Sequence, residues 1–132
     1  MIVLDTHILI WWINNPDKLS DKARKRINLD IKKKEDILIS SISIWEIYML
    51  VKKGRLKFRV DIDTWIEKIE KLNFLRFIPV NNNIAAKSVM LVPPLHSDPA
   101  DRIIIATALK NGATLITSDS KLLRYPHIQT LW

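Results

Sequence analysis

Short, wholly apolar runs recur along this chain with helical spacing between them. Ile2-Val3-Leu4 and Ile37-Leu38-Ile39 contain no polar residue at all. A strand with no polar position is buried on both faces, which is the condition of a strand inside a helix-covered parallel sheet. Leu75–Val80, Ala113–Thr117 and Ile128–Trp132 complete a set of candidate strands. Pro79 cannot donate to a ladder and places the third strand at an edge. The half-polar last strand belongs at the other edge. Strand and helix alternate, so the expected fold class is α/β: a three-layer α/β/α sandwich around a central parallel sheet. The most apolar strand, Ile2–Leu4, should be central, consistent with strand order 3-2-1-4-5.

The intervening segments carry helix punctuation. Thr6–Ile13 is apolar on nearly every side. Ser20-Asp21 caps a helix from Lys22 to about Leu29. Ser43–Lys53 ends at Gly54, a C′ glycine. Asp63–Leu72 places Trp65, Ile66, Ile69 and Leu72 on one face. Ile84–Val92 stops at Pro93-Pro94, and Pro99–Asn111 begins with a first-turn proline and ends at Gly112. Ser120–Arg124 forms a short helix before the last strand.

A chain of 132 residues suffices for one domain with one core, spanning 1–132. No apolar stretch reaches membrane-span length, and the start lacks the basic region of a signal peptide, so no membrane association and a cytoplasmic home are expected. The absence of cysteine excludes disulfides and thiolate-held zinc. Net charge is +7, which favours an anionic partner such as nucleic acid. Lysine and arginine concentrate in Lys22–Arg26, Lys32–Lys34 and Lys52–Arg59. Solvated helix faces explain such clusters as readily as nucleic-acid contact does.

Four acids stand where apolar runs end: Asp5, Glu46, Asp101 and Asp119. In an open α/β sheet, strand carboxyl ends and helix N-termini share one edge, where ligands bind. Each acid also has a structural reading. Asp5 and Asp119 could cap the helices that follow them. Ser43-Ile44-Trp45-Glu46 reads as a capping box, with the glutamate reaching back to the cap amide. Asp101 could complement the dipole of a helix capped by Asp98. Capping does not explain why Glu46 is the only charge between Ile44 and Val51, nor why Asp101 tops the inward stripe Ile104, Ile105, Ala108. Two carboxylates ~4 Å apart repel by roughly 4 kcal/mol at an effective dielectric of ~20, so such a cluster takes up protons or binds a cation. Oxygen-only ligands suit Mg²⁺ or Mn²⁺.

Other residues signal less. Thr6, Ser40, Ser43 and Thr117 flank the acids and could support them or a bound water, or simply serve turns and caps. His7, His96 and His127 have no zinc spacing, and surface or capping roles are expected of them. With only Gly54 and Gly112, the chain has no phosphate-binding glycine loop and no nucleophile elbow. Trp11 and Trp12, adjacent on one helix, cannot easily both face the core, so one is a candidate interface residue.

Together the segments Ile2-Val3-Leu4-Asp5-Thr6-His7, Ser40-Ser41-Ile42-Ser43-Ile44-Trp45-Glu46, His96-Ser97-Asp98-Pro99-Ala100-Asp101-Arg102 and Thr117-Ser118-Asp119 resemble the PIN domain, and more narrowly the VapC-type toxins of toxin–antitoxin pairs. The ending Tyr125 to Leu131-Trp132 is similar to one branch of that family. The likeness runs the length of the chain; each motif is short, but their order and spacing are specific. Ala100 stands where that branch often has an aromatic residue, a departure that touches packing more than chemistry. The resemblance implies an endoribonuclease dependent on one or two Mg²⁺ or Mn²⁺ ions, with Asp5, Glu46, Asp101 and Asp119 as its acidic positions. It also implies a homodimer and a cognate antitoxin that silences it.

On that basis RNA is expected to be hydrolysed by a metal-activated water. Asp5 and Asp101 would be the core ligands with Glu46 beside them. Asp119 would serve a second ion or orient a water, and Arg102 could contact a substrate phosphate or form a salt bridge next to the site. Products would carry a 5′-phosphate. Competing readings are a catalytically silent RNA- or partner-binding module on the same fold, a DNA nuclease, and a signalling receiver domain. The last is disfavoured because Thr6 follows Asp5 where a second acid is needed, and the third strand ends Pro79-Val80-Asn81.

Overall fold

The computed structural model describes residues 1–132. In chain order it runs β1 (Ile2–Leu4), α1 (Thr6–Asn14), a 3-10 turn at Pro16–Lys18, α2 (Asp21–Lys32), β2 (Ile37–Ser40), α3 (Ser41–Lys52), α4 (Ile62–Glu70), β3 (Leu75–Ile78), α5 (Asn82–Val89), α6 (Pro99–Lys110), β4 (Thr114–Ile116), α7 (Ser120–Leu123) and β5 (Thr130–Leu131). The five strands form one sheet in order β3-β2-β1-β4-β5. Every neighbouring pair is parallel. The expected order and the central place of Ile2–Leu4 are both met.

Strand alternation builds two cores, one on each face of the sheet. Ile2, Leu4, Ile37 and Ile39 turn to one side and meet Ile8 and Leu9 of α1, Ile27 of α2, Ile47 of α3 and Ile69 of α4. Val3, Leu38 and Leu115 turn to the other and meet Ile104, Ile105 and Ala108 of α6 and Leu122 of α7. Burying each of these large side chains stabilises the fold by about 1.5–3 kcal/mol. This two-sided demand explains why β1 is apolar at every position and fully buried. No helix is long and apolar enough to cross a membrane.

Helix limits differ from the sequence reading in instructive ways. α3 begins at Ser41, not Ser43, because the Ser40 hydroxyl caps the Ile42 amide at 3.2 Å. Ser43 is therefore inside the helix, and the capping box expected of Ser43 and Glu46 does not form. α5 ends at Val89, before the Pro93-Pro94 pair expected to stop it. Its last carbonyls find another donor, since Arg102 Nε donates to Ser88 O at 2.9 Å and Arg102 Nη2 to Val89 O at 3.1 Å. The glycines that end α3 and α6 have the positive φ of that position, 70° at Gly54 and 61° at Gly112. Pro79 falls just beyond β3, which is an edge strand as expected.

Candidate active site

The parallel sheet delivers four chain segments to its carboxyl edge. Asp5 follows β1, Ser40 ends β2 and opens α3, and Thr117 follows β4. α6 leads down toward β4, so its N-terminal turn, with Asp98 and Asp101, starts at the same edge. Asp119 caps α7 just beyond Thr117.

Asp5 is the anchor. Its Oδ1 accepts from the Thr6 amide at 2.8 Å and its Oδ2 from the Thr117 hydroxyl at 2.7 Å. Thr117 Oγ1 in turn accepts from the Asp119 amide at 3.1 Å, so one buried hydroxyl joins the ends of two strands. Each carboxylate oxygen has about two lone pairs, so these bonds orient Asp5 and still leave acceptor capacity. Burial pushes the Asp5 carboxyl above its ordinary pKa, against the pull of Thr117 and Thr6, and the charge of Asp119 adds to the rise.

Glu46 projects from the second turn of α3. Thr6 Oγ1 lies 2.6 Å from Glu46 Oε1 and 2.8 Å from Ser43 Oγ. A hydroxyl carries a single proton, so Thr6 serves Glu46 and Ser43 supplies the other bond. Thr6 and Ser43 are both buried. Burial raises the Glu46 pKa to about 7, with the Thr6 bond opposing and Asp5, Asp101 and Asp98 adding repulsion. Asp101 is raised as well, first by burial and then by the charges of Asp5 and Asp98, against the bond from His96. Glu46 thus feels the charge of both Asp5 and Asp101 across the sheet edge, and Asp101 that of Asp5.

They do not form a closed cage. No group of three carboxylate or imidazole side chains is arranged to hold a metal ion. Asp101 Oδ2 instead lies 2.7 Å from His96 Nε2, which is an ion pair only while the ring is protonated. Asp119 turns Oδ1 to the Lys121 amide at 2.8 Å, the cap that its position also allows. Asp98 caps α6 through the Asp101 amide at 2.9 Å, as expected.

Two residues take parts that sequence reasoning did not assign. His96 is the immediate partner of Asp101; the only signal was its place five residues earlier in the same loop-to-helix segment. Arg102 forms no salt bridge with any carboxylate and engages backbone instead. Besides Ser88 and Val89, its guanidinium donates to His96 O at 3.2 Å and Leu95 O at 3.5 Å. Most of its donors go to backbone carbonyls, tying α5 to the loop that carries His96. Thr6, Ser43 and Thr117 all lie among the acids, whereas Ser40 serves the α3 cap.

The PIN domain family model matches residues 2–128. The chain is 29% identical to Ribonuclease VapC22 of Mycobacterium tuberculosis (strain ATCC 25618 / H37Rv), over 99% of this chain and 98% of that protein. Its fold is similar to a chain of the VapBC2 complex of Rickettsia felis bound to a promoter DNA fragment, with a TM-score of 0.70 at 23% identity, covering 99% of this chain and 98% of that one. It is also similar to a chain of a toxin–antitoxin complex from Klebsiella pneumoniae, with a TM-score of 0.67 at 21% identity, covering 100% of this chain and 97% of that one. A match of that extent, on a chain whose strand order and acidic edge were already in place, makes this protein a member of the PIN domain family.

Proposed function

We propose that this protein is a divalent-metal-dependent endoribonuclease, the toxin of a toxin–antitoxin pair, acting in the cytoplasm. The observation that carries the reading is the gathering of Asp5, Glu46 and Asp101 at one sheet edge, where burial first and neighbouring acidic charges second raise all three pKa values. Such a group is short of positive charge. The similarity to a VapC ribonuclease over nearly the whole chain supports RNA as the substrate. Fold similarity to chains of toxin–antitoxin complexes supports an antitoxin as partner. A homodimer is proposed on the family resemblance alone.

The donor chemistry fits Mg²⁺ or Mn²⁺: the acids offer only oxygen, and Asp5 keeps free lone pairs. Asp5, Glu46 and Asp101 would hold one ion, and Asp119 would serve a second or orient a water. When bound, such an ion polarises a phosphoryl oxygen and acidifies a water for in-line attack on phosphorus. The chain's own residues set the stage for this. Thr117 and the Thr6 amide fix the Asp5 carboxylate. Thr6, backed by Ser43, fixes Glu46, whose raised pKa in the metal-free site marks a carboxyl that a cation would stabilise in its charged form. His96 holds Asp101 and would have to yield it.

The experiment is cleavage of a mixed structured RNA pool by antitoxin-free protein with Mn²⁺, with EDTA, and with an Asp101→Asn variant. Cleavage that needs both the metal and Asp101, leaving 5′-phosphate ends, is the expected result. A cyclic phosphate product would contradict metal-activated hydrolysis. One observation favours a second reading, a catalytically silent binding module: no three ligating side chains converge. Saturable Mn²⁺ binding with no cleavage of any RNA would favour it.

A further inference from the structure

Two of the basic runs that stand out in the sequence are poorly placed for a substrate at the acidic edge. Lys32–Lys34 close α2 just before β2 begins, and Lys52 and Lys53 close α3. Both lie at the amino edge of the sheet. Arg102 stands beside the site, but most of its donors are taken by backbone carbonyls. A polyanion bound across a group of carboxylates still needs cations beside them.

Two remain. Lys121 and Arg124 lie three residues apart on α7 and its C-terminal cap, so they occupy one face of that turn. Both are exposed. Neither forms an ion pair with any carboxylate of the chain. With Pro94, Leu95, His96 and Tyr125 they line a cavity of about 370 Å³, within the roughly 300–1,000 Å³ usual for ligand sites. The Tyr125 hydroxyl is committed to Val92 O at 2.7 Å, which leaves the two cations and His96 as the cavity's polar side chains. His96 is a shared wall: it lines this cavity, and its ring bonds Asp101. Asp119, the other end of α7, stands on the acidic side.

We infer that the Lys121–Arg124 cavity is a phosphate subsite, holding an RNA backbone phosphate next to the one that is cleaved. The inference rests on the ribonuclease reading of the acidic edge. One short helix carries acid at its cap and two cations along the following turn, so it can set the strand's register against the carboxylates. A guanidinium fork and a lysine point charge are complementary donors for such a phosphate. Neither reads base identity, so this subsite positions the strand and does not select sequence.

The test is binding of a fluorescent single-stranded oligoribonucleotide in EDTA, over a range of salt concentrations. Wild-type protein is compared with the pair Lys121→Ala/Arg124→Ala and with a charge-matched control at the far edge, Lys32→Ala/Lys33→Ala. The α7 pair should weaken binding about tenfold, equivalent to ~1.4 kcal/mol. It should also lower the slope of log affinity against log salt by about 0.7 for one lost phosphate contact on a single strand. The control should change neither by more than about twofold in affinity. The swap Lys121→Arg/Arg124→Lys should retain binding. Equal losses from both alanine pairs, or none from the α7 pair, would overturn the subsite while leaving the nuclease reading intact. If wild-type protein neither binds nor cuts RNA, with or without Mn²⁺, the nuclease reading falls and takes the subsite with it.

Discussion

Glu46 is a half-buried carboxyl with one strong hydrogen bond and acidic neighbours, and those facts set its pH behaviour. Its folded pKa lies near 7 against 4.5 for the free side chain. The folded state therefore holds the proton more tightly than the unfolded one. The stability this brings is complete below pH 4.5 and is lost as pH rises through about 7. Asp5 and Asp101 shift in the same direction. Metal-free protein should thus melt at lower temperature at pH 8 than at pH 5. Mn²⁺ should restore much of the difference, and Glu46→Gln should flatten the profile; a melting temperature independent of pH would show that burial of these acids costs little. Thr6 gives a second residue-scale prediction. Thr6→Val keeps the shape but leaves Glu46 and buried Ser43 each short of a partner. It should cost about 1–3 kcal/mol in urea unfolding and reduce cleavage, whereas Thr6→Ser should be near wild type in both.

Helices bring these residues to the edge through their ends. α6 enters with Asp98 as cap and Pro99 in the first turn, and Asp101 follows in a position that the cap itself holds. The loop before it depends on Arg102, whose guanidinium spans Ser88, Val89, Leu95 and His96. Arg102→Ala would strand several carbonyls at the end of α5 and free the His96 loop. The expected result is destabilisation of about 2–3 kcal/mol, with faster proteolysis between α5 and α6. Arg102→Lys should recover only part, because a point charge cannot span four carbonyls. Unchanged protease sensitivity in Arg102→Ala would show that the loop holds without it. The α1 tryptophans likewise find partners within the chain. Trp11 lies 6.0 Å from the Trp132 ring and Trp12 meets Phe74 edge-on at 5.4 Å. Both remain half-buried, so the expected interface role for one of them rests on measurement: Trp12→Ala should lower mass by light scattering or weaken antitoxin binding.

For the whole molecule, the two-sided core explains why the site is built on the strands most resistant to movement. β1 and β2 are fully buried and carry Asp5 and Ser40 at their ends. A cavity on either face should therefore reach the edge. Ile104→Ala, at a fully buried position under α6, should cost about 2–5 kcal/mol and impair cleavage in proportion to the fraction unfolded at the assay temperature. Cleavage lost at temperatures where the variant is fully folded would mean that the α6 core positions Asp101 directly.

Hydrophobic patterning alone determined the sheet. A run such as Ile2-Val3-Leu4 has no polar face, and a parallel interior strand is what accommodates it; the proline-bearing strand follows to the edge for want of a donor. Parallel topology then brings Asp5, Glu46, Asp101 and Asp119 to one rim, so their common location was legible before any coordinate. Their individual partners were not. A hydroxyl, an imidazole or a guanidinium can reach several neighbours from one sequence position, and only packing decides which it meets. Tertiary structure gave Thr6 to Glu46, His96 to Asp101 and Arg102 to the carbonyls of α5. It also moved the α3 cap from Ser43 to Ser40 and left Lys121 and Arg124 as the unpaired cations beside the acids. Burial on both faces of a strand constrains composition, while a polar contact constrains only geometry, and geometry is what the folded chain supplies.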